Sequence, residues 1–168
     1  MSAPVQPHAG QLRELTEADL GELQALLGRC ADYFLLHEDR ATSVTEARDV
    51  WEAVPEGTPR DSKRVLGLWA PGLCGVADLV CDWPRPATWM IGLLLLDPAV
   101  RGRGGGTRML GAVDAAAAGA GADRLRIAVI PANAGGMRFW RRHGFEQVPA
   151  VGGHPTAIAL ERPVAGGA

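Results

Sequence analysis

Lysine is almost missing from this chain of 168 residues; Lys63 is the single one, so arginine carries nearly all of the positive charge. Basic residues number 17 against 19 acids, which excludes a generally basic nucleic-acid binder. Cysteine is scarce too. Cys30, Cys74 and Cys81 are odd in number and show neither CxxC nor zinc-ligand spacing, so no metal site is expected and they read as reduced thiols or small core residues. No apolar run approaches the about 18 residues of a membrane span, and Met1–Gly10 lacks the basic-then-apolar pattern of a secretory signal. Together these absences point to the cytoplasm, with neither membrane nor nucleic acid as partner. Disorder is excluded as well, because 47% apolar residues suffice for a core.

The charge that is present is unevenly placed. Residues 1–60 hold eleven acids and five arginines, whereas residues 61–168 hold eight acids and twelve basic residues. The basic half suits an anionic ligand and the acidic half a cationic one, although ordinary solvated surface explains both equally well. The length suits one domain over residues 11–163, between loose tails at 1–10 and 164–168.

Patterning along the chain predicts an α/β fold. Gln11 to Leu15 reads as a strand, and Thr16 as the N-cap of a helix along Leu20, Leu23, Leu26 and Leu27 that ends with Ala31 to Arg40. Ser43 with Glu46 suggests a capping box for a helix through Val54, closed by Pro55. Strands follow over 64–70, 73–82 and 88–96. From Trp89 onward the last of these has no polar face, so it should be central. A helix over about 104–119, a strand over 124–130, a helix over 133–143 ended by Gly144, and strands over 145–148 and 155–161 complete the order.

The densest signal runs from Leu94 to Thr107. An apolar strand stops at Asp97-Pro98, an arginine- and glycine-rich turn follows, and a helix starts at once. Glycines let backbone N–H groups converge on an anion, and the helix N-terminus adds its free N–H groups and dipole at the same spot. Arginine suits phosphate. This is a seat for a pyrophosphate. A Walker A loop would require a lysine, and none lies near. A G-x-G-x-x-G dinucleotide pattern fails too, since its third glycine falls on Thr107 or Met109 and no acid ends the following strand.

What fits is R-x-x-G-x-G, as Arg101, Gly104 and Gly106, with a second block of Val129-Ile130-Pro131-Ala132-Asn133, Gly136, Phe139-Trp140 and Gly144-Phe145. On these two blocks, in order and on the right elements, the chain resembles the GNAT superfamily of acyl-CoA-dependent N-acetyltransferases. The resemblance implies a mixed, mostly antiparallel sheet of six to seven strands with about four helices, splayed between its fourth and fifth strands. It implies acetyl-CoA as co-substrate and no metal. The open edge Leu94, Leu95 and Leu96 would pair with the pantetheine amides as if with a peptide. Backbone N–H groups of Arg101, Gly102, Arg103, Gly104, Gly105, Gly106 and Thr107 would hold the pyrophosphate, with Asn133 and Trp140 completing the cofactor pocket. Asn133 reads equally as a plain helix N-cap.

The implied reaction is attack of a neutral amine, of a small molecule or a peptide, on the thioester carbonyl in a ternary complex. An amine with a pKa near 10 needs a base at neutral pH. Asp78, on a strand face with Val76 and Val80, is the first candidate; Glu38, His37 and Asp32 are alternatives on the acceptor wall. Trp140 stands where the family often has a tyrosine that protonates the leaving thiolate, and an indole is no acid. Tyr33, the only tyrosine, is the substitute, or an aromatic packed on Phe34. His143 reads as a favourable charge in the last turn of its helix. The second reading of the whole is a GNAT-fold regulatory protein that binds acyl-CoA without transferring it, and a third an O-acyltransferase or a user of longer acyl chains. A homodimer stays open.

Overall fold

A computed structural model describes residues 10–151 and 155–166; the remainder, including residues 1–9 of the expected N-terminal tail and 167–168 of the C-terminal one, lies outside the described residues. Seven strands form one sheet in the order β1-β2-β3-β4-β5-β7-β6, with ranges β1 Gln11–Glu14, β2 Lys63–Trp69, β3 Leu73–Val80, β4 Thr88–Leu96, β5 Arg124–Val129, β6 Glu146–Gln147 and β7 Ile158–Pro163. Every pairing is antiparallel except β4 with β5. All eight residues of β3 are buried, and β4 lies in the middle of the sheet, as its apolar run requires.

Helices cover both faces. On one, α1 (Leu20–Arg29), α2 (Ala31–Glu38) and α3 (Glu46–Glu52) bury Leu23, Leu26, Leu27, Phe34 and Ala47 over Val65, Leu73, Val76, Leu93 and Leu95. On the other, α4 (Gly105–Gly119) and α5 (Ala134–Arg142) bury Met109, Leu110, Val113 and Trp140 over Leu68, Leu79, Ile91, Leu125 and Ile127. Strand alternation explains the division, since neighbours in sequence point to opposite faces.

Among the described residues there are five α-helices where the resemblance implies about four. The helical region expected from Thr16 to Arg40 breaks at Cys30, which leaves helical dihedrals (φ −92°, ψ 29°). Cys30 is fully buried, and its thiol donates to the Leu96 carbonyl on β4. The chain leaves α1 at that residue and restarts as α2 at Ala31. The Ser43–Glu46 box is half formed. The Glu46 carboxylate accepts from the Ser43 N–H at 3.0 Å, but the Ser43 hydroxyl accepts from the Thr45 N–H, and α3 starts at Glu46. At the chain ends, the carbonyl of buried Gly10 accepts from Arg108, Val164 is buried, and the Ala165 N–H donates to Asp114.

The parallel pair is short. β4 and β5 pair only from Thr88 to Ile91 and from Arg124 to Ile127, while β3 follows β4 to Leu96. A bulge marks the parting: Asp78 lies opposite Leu93 and Leu79 opposite Ile91, so Gly92 is the extra residue.

Charges buried in the sheet are paired. Asp114 on α4 holds Arg162 of β7 at 2.6 and 2.9 Å. Glu161 on β7, 3% exposed, accepts from Arg85 at 2.7 and 3.0 Å, from Arg126 at 2.5 Å and from Arg124 at 3.0 Å. Arg85 first, with Arg126 and Arg124, holds its carboxyl down to about 2 against the desolvation that opposes them. A depressed carboxylate stabilises the fold above its unfolded pKa of about 4.3, and the contribution is lost as pH falls towards the folded value. Glu161→Gln should therefore cost about 3 kcal/mol in urea unfolding at pH 7, because it strands the buried Arg126 guanidinium and removes the partner of the more exposed Arg85 and Arg124. The gap to the native chain should shrink to a small fraction of that at pH 2, where Glu161 is itself about half protonated.

Candidate functional site

Where β4 and β5 part, a cleft of about 510 Å³ opens. Its floor is Leu94, Leu95 and Leu96, whose backbone has β3 on one side and no strand on the other. Asp32, Tyr33, Leu36 and His37 of α2 form one wall; Asn133, Gly135, Gly136, Phe139 and Trp140 form the other; Arg101, Gly102 and Gly106 close the end. The Leu96 carbonyl is already engaged, accepting from the Cys30 thiol and from Arg101 Nε.

The turn at the closed end is shaped by its glycines. Asp97 caps a short 3-10 turn at Pro98–Val100 by accepting from the Ala99 N–H at 2.9 Å. Gly102 (φ +74°) and Gly104 (φ +81°) then adopt left-handed backbone, which side chains disfavour. The first intrahelical bond of α4 runs from the Arg108 N–H to the Gly104 carbonyl, so the N–H groups of Gly105, Gly106 and Thr107 lack intrahelical acceptors. Gly106 is small for another reason: a Cβ there would come within 3.1 Å of the Phe139 ring, so α5 packs directly on the start of α4. Thr107 serves the same packing. Its hydroxyl donates to His143 Nε2 at 3.0 Å, while His143 Nδ1–H donates to the Phe139 carbonyl.

Asn133 caps α5, its Oδ1 accepting from the Gly136 N–H at 2.9 Å. Its amide Nδ2 also reaches His37 Nε2, at 3.3 Å across the cleft. Since His37 Nδ1–H donates to the Tyr33 carbonyl, Nε2 is the accepting nitrogen of that ring. At the other end of α2, Arg101 grips Asp32 with both guanidinium arms, 2.5 and 3.1 Å. Arg101 thereby holds the Asp32 carboxyl below the usual range. The helix is thus tied to the turn at Asp32 and to α5 at His37.

The residues singled out for chemistry fall in different places. Tyr33 lines the cleft, stacked on His37 with centroids 3.8 Å apart and edge-on to Phe34. Burial, with the charges of Glu38 and Asp78, pushes its hydroxyl up to about 12, which keeps it a neutral hydrogen-bond donor. Glu38 lies outside the cleft lining, half-exposed and paired with Arg40. Asp78 lies below the surface, its Oδ1 2.6 Å from Lys63 Nζ. Burial pushes its carboxyl up, while Lys63 and Arg60 pull it back. Trp140 lines the cleft, held edge-on between Phe139 and Phe145 with centroids 5.0 Å away on each side. Arg103, Gly104, Gly105 and Thr107 belong to the turn and helix start and not to the cleft surface. Leu36 and Lys63 carry weight the sequence reading did not give them, and only Lys63 advertised itself, as a lone lysine among arginines; Phe139, quoted as part of the second motif block, lines the cleft and packs on Gly106.

A profile of the Acetyltransferase (GNAT) family matches residues 30–145. The chain belongs to the GNAT acetyltransferase family. No curated protein sequence matches it. Among solved structures, this GNAT chain is similar to an acetyltransferase from Thermus thermophilus, at 26% identity and TM-score 0.74, covering 92% of this chain and 96% of the other. It shares its fold with PaiA N-acetyltransferase from Thermoplasma acidophilum in complex with coenzyme A, at 16% identity and TM-score 0.69, covering 92% and 99%. The ribosomal-protein-S18-alanine N-acetyltransferase from Escherichia coli is similar in fold too, at 16% identity and TM-score 0.68, covering 92% and 94%. Among the described residues of the GNAT chain, no cluster of His, Cys, Asp and Glu is arranged to hold a metal, and no helix is long and apolar enough to cross a membrane.

The left-handed turn has a measurable cost if filled. Gly104→Val should lower unfolding stability by about 1–2 kcal/mol with no ligand present. Gly111→Val, on the same helix with open space around its Cβ and ordinary helical backbone, should stay within about 0.5 kcal/mol. Equal losses at the two positions would show that the turn is not held in that conformation.

Proposed function

We propose that the protein transfers an acetyl group from acetyl-CoA to a primary amine of a small molecule or peptide, by direct attack in a ternary complex within one domain over residues 11–163. One observation carries the reading: an unpaired strand edge and, through Gly106, a helix start whose first N–H groups lack intrahelical acceptors line the same cleft. Pantetheine has two amides for the edge at Leu94 and Leu95, and a pyrophosphate suits the N–H groups of Gly105, Gly106 and Thr107. Arg101 adds positive charge beside the turn while holding it against α2. Asn133 and the Trp140 indole N–H offer further hydrogen bonds on the opposite wall. Acetyl-CoA, when bound, supplies the activated acyl group, and the chain's own residues handle position and protons.

The acceptor approaches on the α1–α2 side, where the acidic half of the chain lies. Asp78 is the proposed acceptor of the amine's proton, and Tyr33 the proposed hydroxyl donor. A departing thiolate with a pKa near 8.5 tolerates water as its acid, so Trp140 in the tyrosine position does not stop turnover. The three free thiols fit work in the cytoplasm.

Trp140 favours a second reading, a GNAT-fold protein that senses acyl-CoA without transfer. The two part in an amine-panel assay that follows release of the CoA thiol. Turnover with at least one primary amine is expected. No turnover, alongside a melting temperature raised by acetyl-CoA, would establish the sensor. If neither acetyl-CoA nor CoA raises the melting temperature at about a hundredfold excess over any useful Kd, where about 2.7 kcal/mol of stabilisation is due, the cofactor seat itself is refuted.

A further inference from the structure

Lys63, the only lysine, opens β2 with its side chain 2% exposed. A buried ammonium needs partners, and this one has two: it donates to the Ala53 carbonyl at 2.7 Å and lies 2.6 Å from Asp78 Oδ1.

The pair is asymmetric. Oδ1 of Asp78 is sealed from solvent, yet the side chain as a whole keeps 12% exposure, so its accessible part lies on the Oδ2 side. Oδ2 faces Gly92, where a Cβ would come within 3.0 Å of it. Gly92 is exposed, is the residue the bulge inserts, and is the first of β4 beyond the last pairing with β5 at Ile91. Asp78 and Gly92 do not themselves line the cleft; Leu94, where its floor begins, lies two residues on, about 7 Å along the strand, a distance for a short relay of waters. Two features, the lone lysine at Oδ1 and the bulged glycine at Oδ2, meet at one carboxylate.

We propose that Lys63 is a positioning residue that keeps Asp78 ionised and its Oδ2 directed past Gly92 to the opening of the cleft, where it takes the proton of the acceptor amine. The inference rests on the acetyltransferase reading. A carboxyl this deeply buried would otherwise hold its own proton and be useless as a base. The groups facing it are Lys63 from β2, in direct contact, and Arg60 before β2 and the Tyr33 hydroxyl from α2, which act at longer range; β4 presents only uncharged Gly92. In the step, the ammonium gives its proton to Oδ2. The freed lone pair forms the N–C bond as the C–S bond breaks, the nitrogen's second proton passes through water to the departing thiolate, and Asp78 returns its own proton to solvent.

The deciding measurement needs no turnover, so it separates this inference from the acetyltransferase reading. The 13Cγ resonance of Asp78 is followed through a pH titration of the ligand-free protein. Lys63→Met should raise its midpoint by more than one pH unit, and Lys63→Arg should recover most of the shift; an unchanged midpoint in Lys63→Met overturns the proposal. If Lys63→Met does not fold, two variants with the native lysine decide. Asp78→Asn should lower kcat at least a hundredfold, and Gly92→Ala, whose methyl must push Oδ2 aside, should lower kcat/KM for the amine at least tenfold, both with unchanged affinity for acetyl-CoA. Wild-type turnover in either variant overturns the proposal.

Discussion

The parting of β4 from β5 after Ile91 is the constraint on which the rest of the molecule depends. Two parallel strands that stay paired leave no free backbone; two that separate leave a row of N–H and C=O groups that must find partners elsewhere. Here the separation is built in by one inserted glycine, Gly92, and by a crossover helix, α4, that starts beside the open end. The cleft, its backbone lining and its anion-suited end all follow from that one break in the ladder.

Everything around the break is arranged to hold it open. On one face, α5 packs on α4 through Phe139 over Gly106 and through the Thr107–His143 hydrogen bond, so the far wall cannot collapse onto the floor. On the other, the chain leaves α1 at Cys30 and restarts as α2, which forms the facing wall of the cleft. The Asp32–Arg101 and Asn133–His37 contacts then fix α2 at both ends. These ties are polar and partly exposed, and so individually weak. The buried Leu23, Leu26, Leu27 and Phe34 supply the packing that sets where α1 and α2 lie.

Much of this was legible in the sequence, and the reason is physical. The apolar run of β4 announces a central strand because nothing polar interrupts it. Gly102 and Gly104 announce the turn because their backbone conformation admits little else. Asn133 could be read both as cap and as cleft residue, and it has both positions. Such signals are local, written within a few residues of where they act. The break at Cys30 was not legible, because the partner of its thiol is a carbonyl at Leu96, 66 residues away. Nor was the division of labour among the arginines: Arg101 reads as a phosphate ligand, yet Asp32, 69 residues distant, claims its guanidinium.

The same contrast divides the site. The end suited to a pyrophosphate is made of backbone, so glycines and a helix start specify it, and side chains there matter little. The side under α2 is made of side chains, two of its pairs joining different elements: Lys63 with Asp78 and His37 with Asn133, while Tyr33 stacks on His37 within α2. A buried carboxylate is chemically undefined until its partner is known, since desolvation and a neighbouring ammonium drive its proton in opposite directions. Asp78 could be picked out from strand position alone, but what it can do depends on Lys63 and on the gap at Gly92, and neither relation is local. Cofactor binding in such a fold is therefore a property of the backbone and widely shared, while proton chemistry and acceptor choice belong to a few distant pairs that each chain must build for itself.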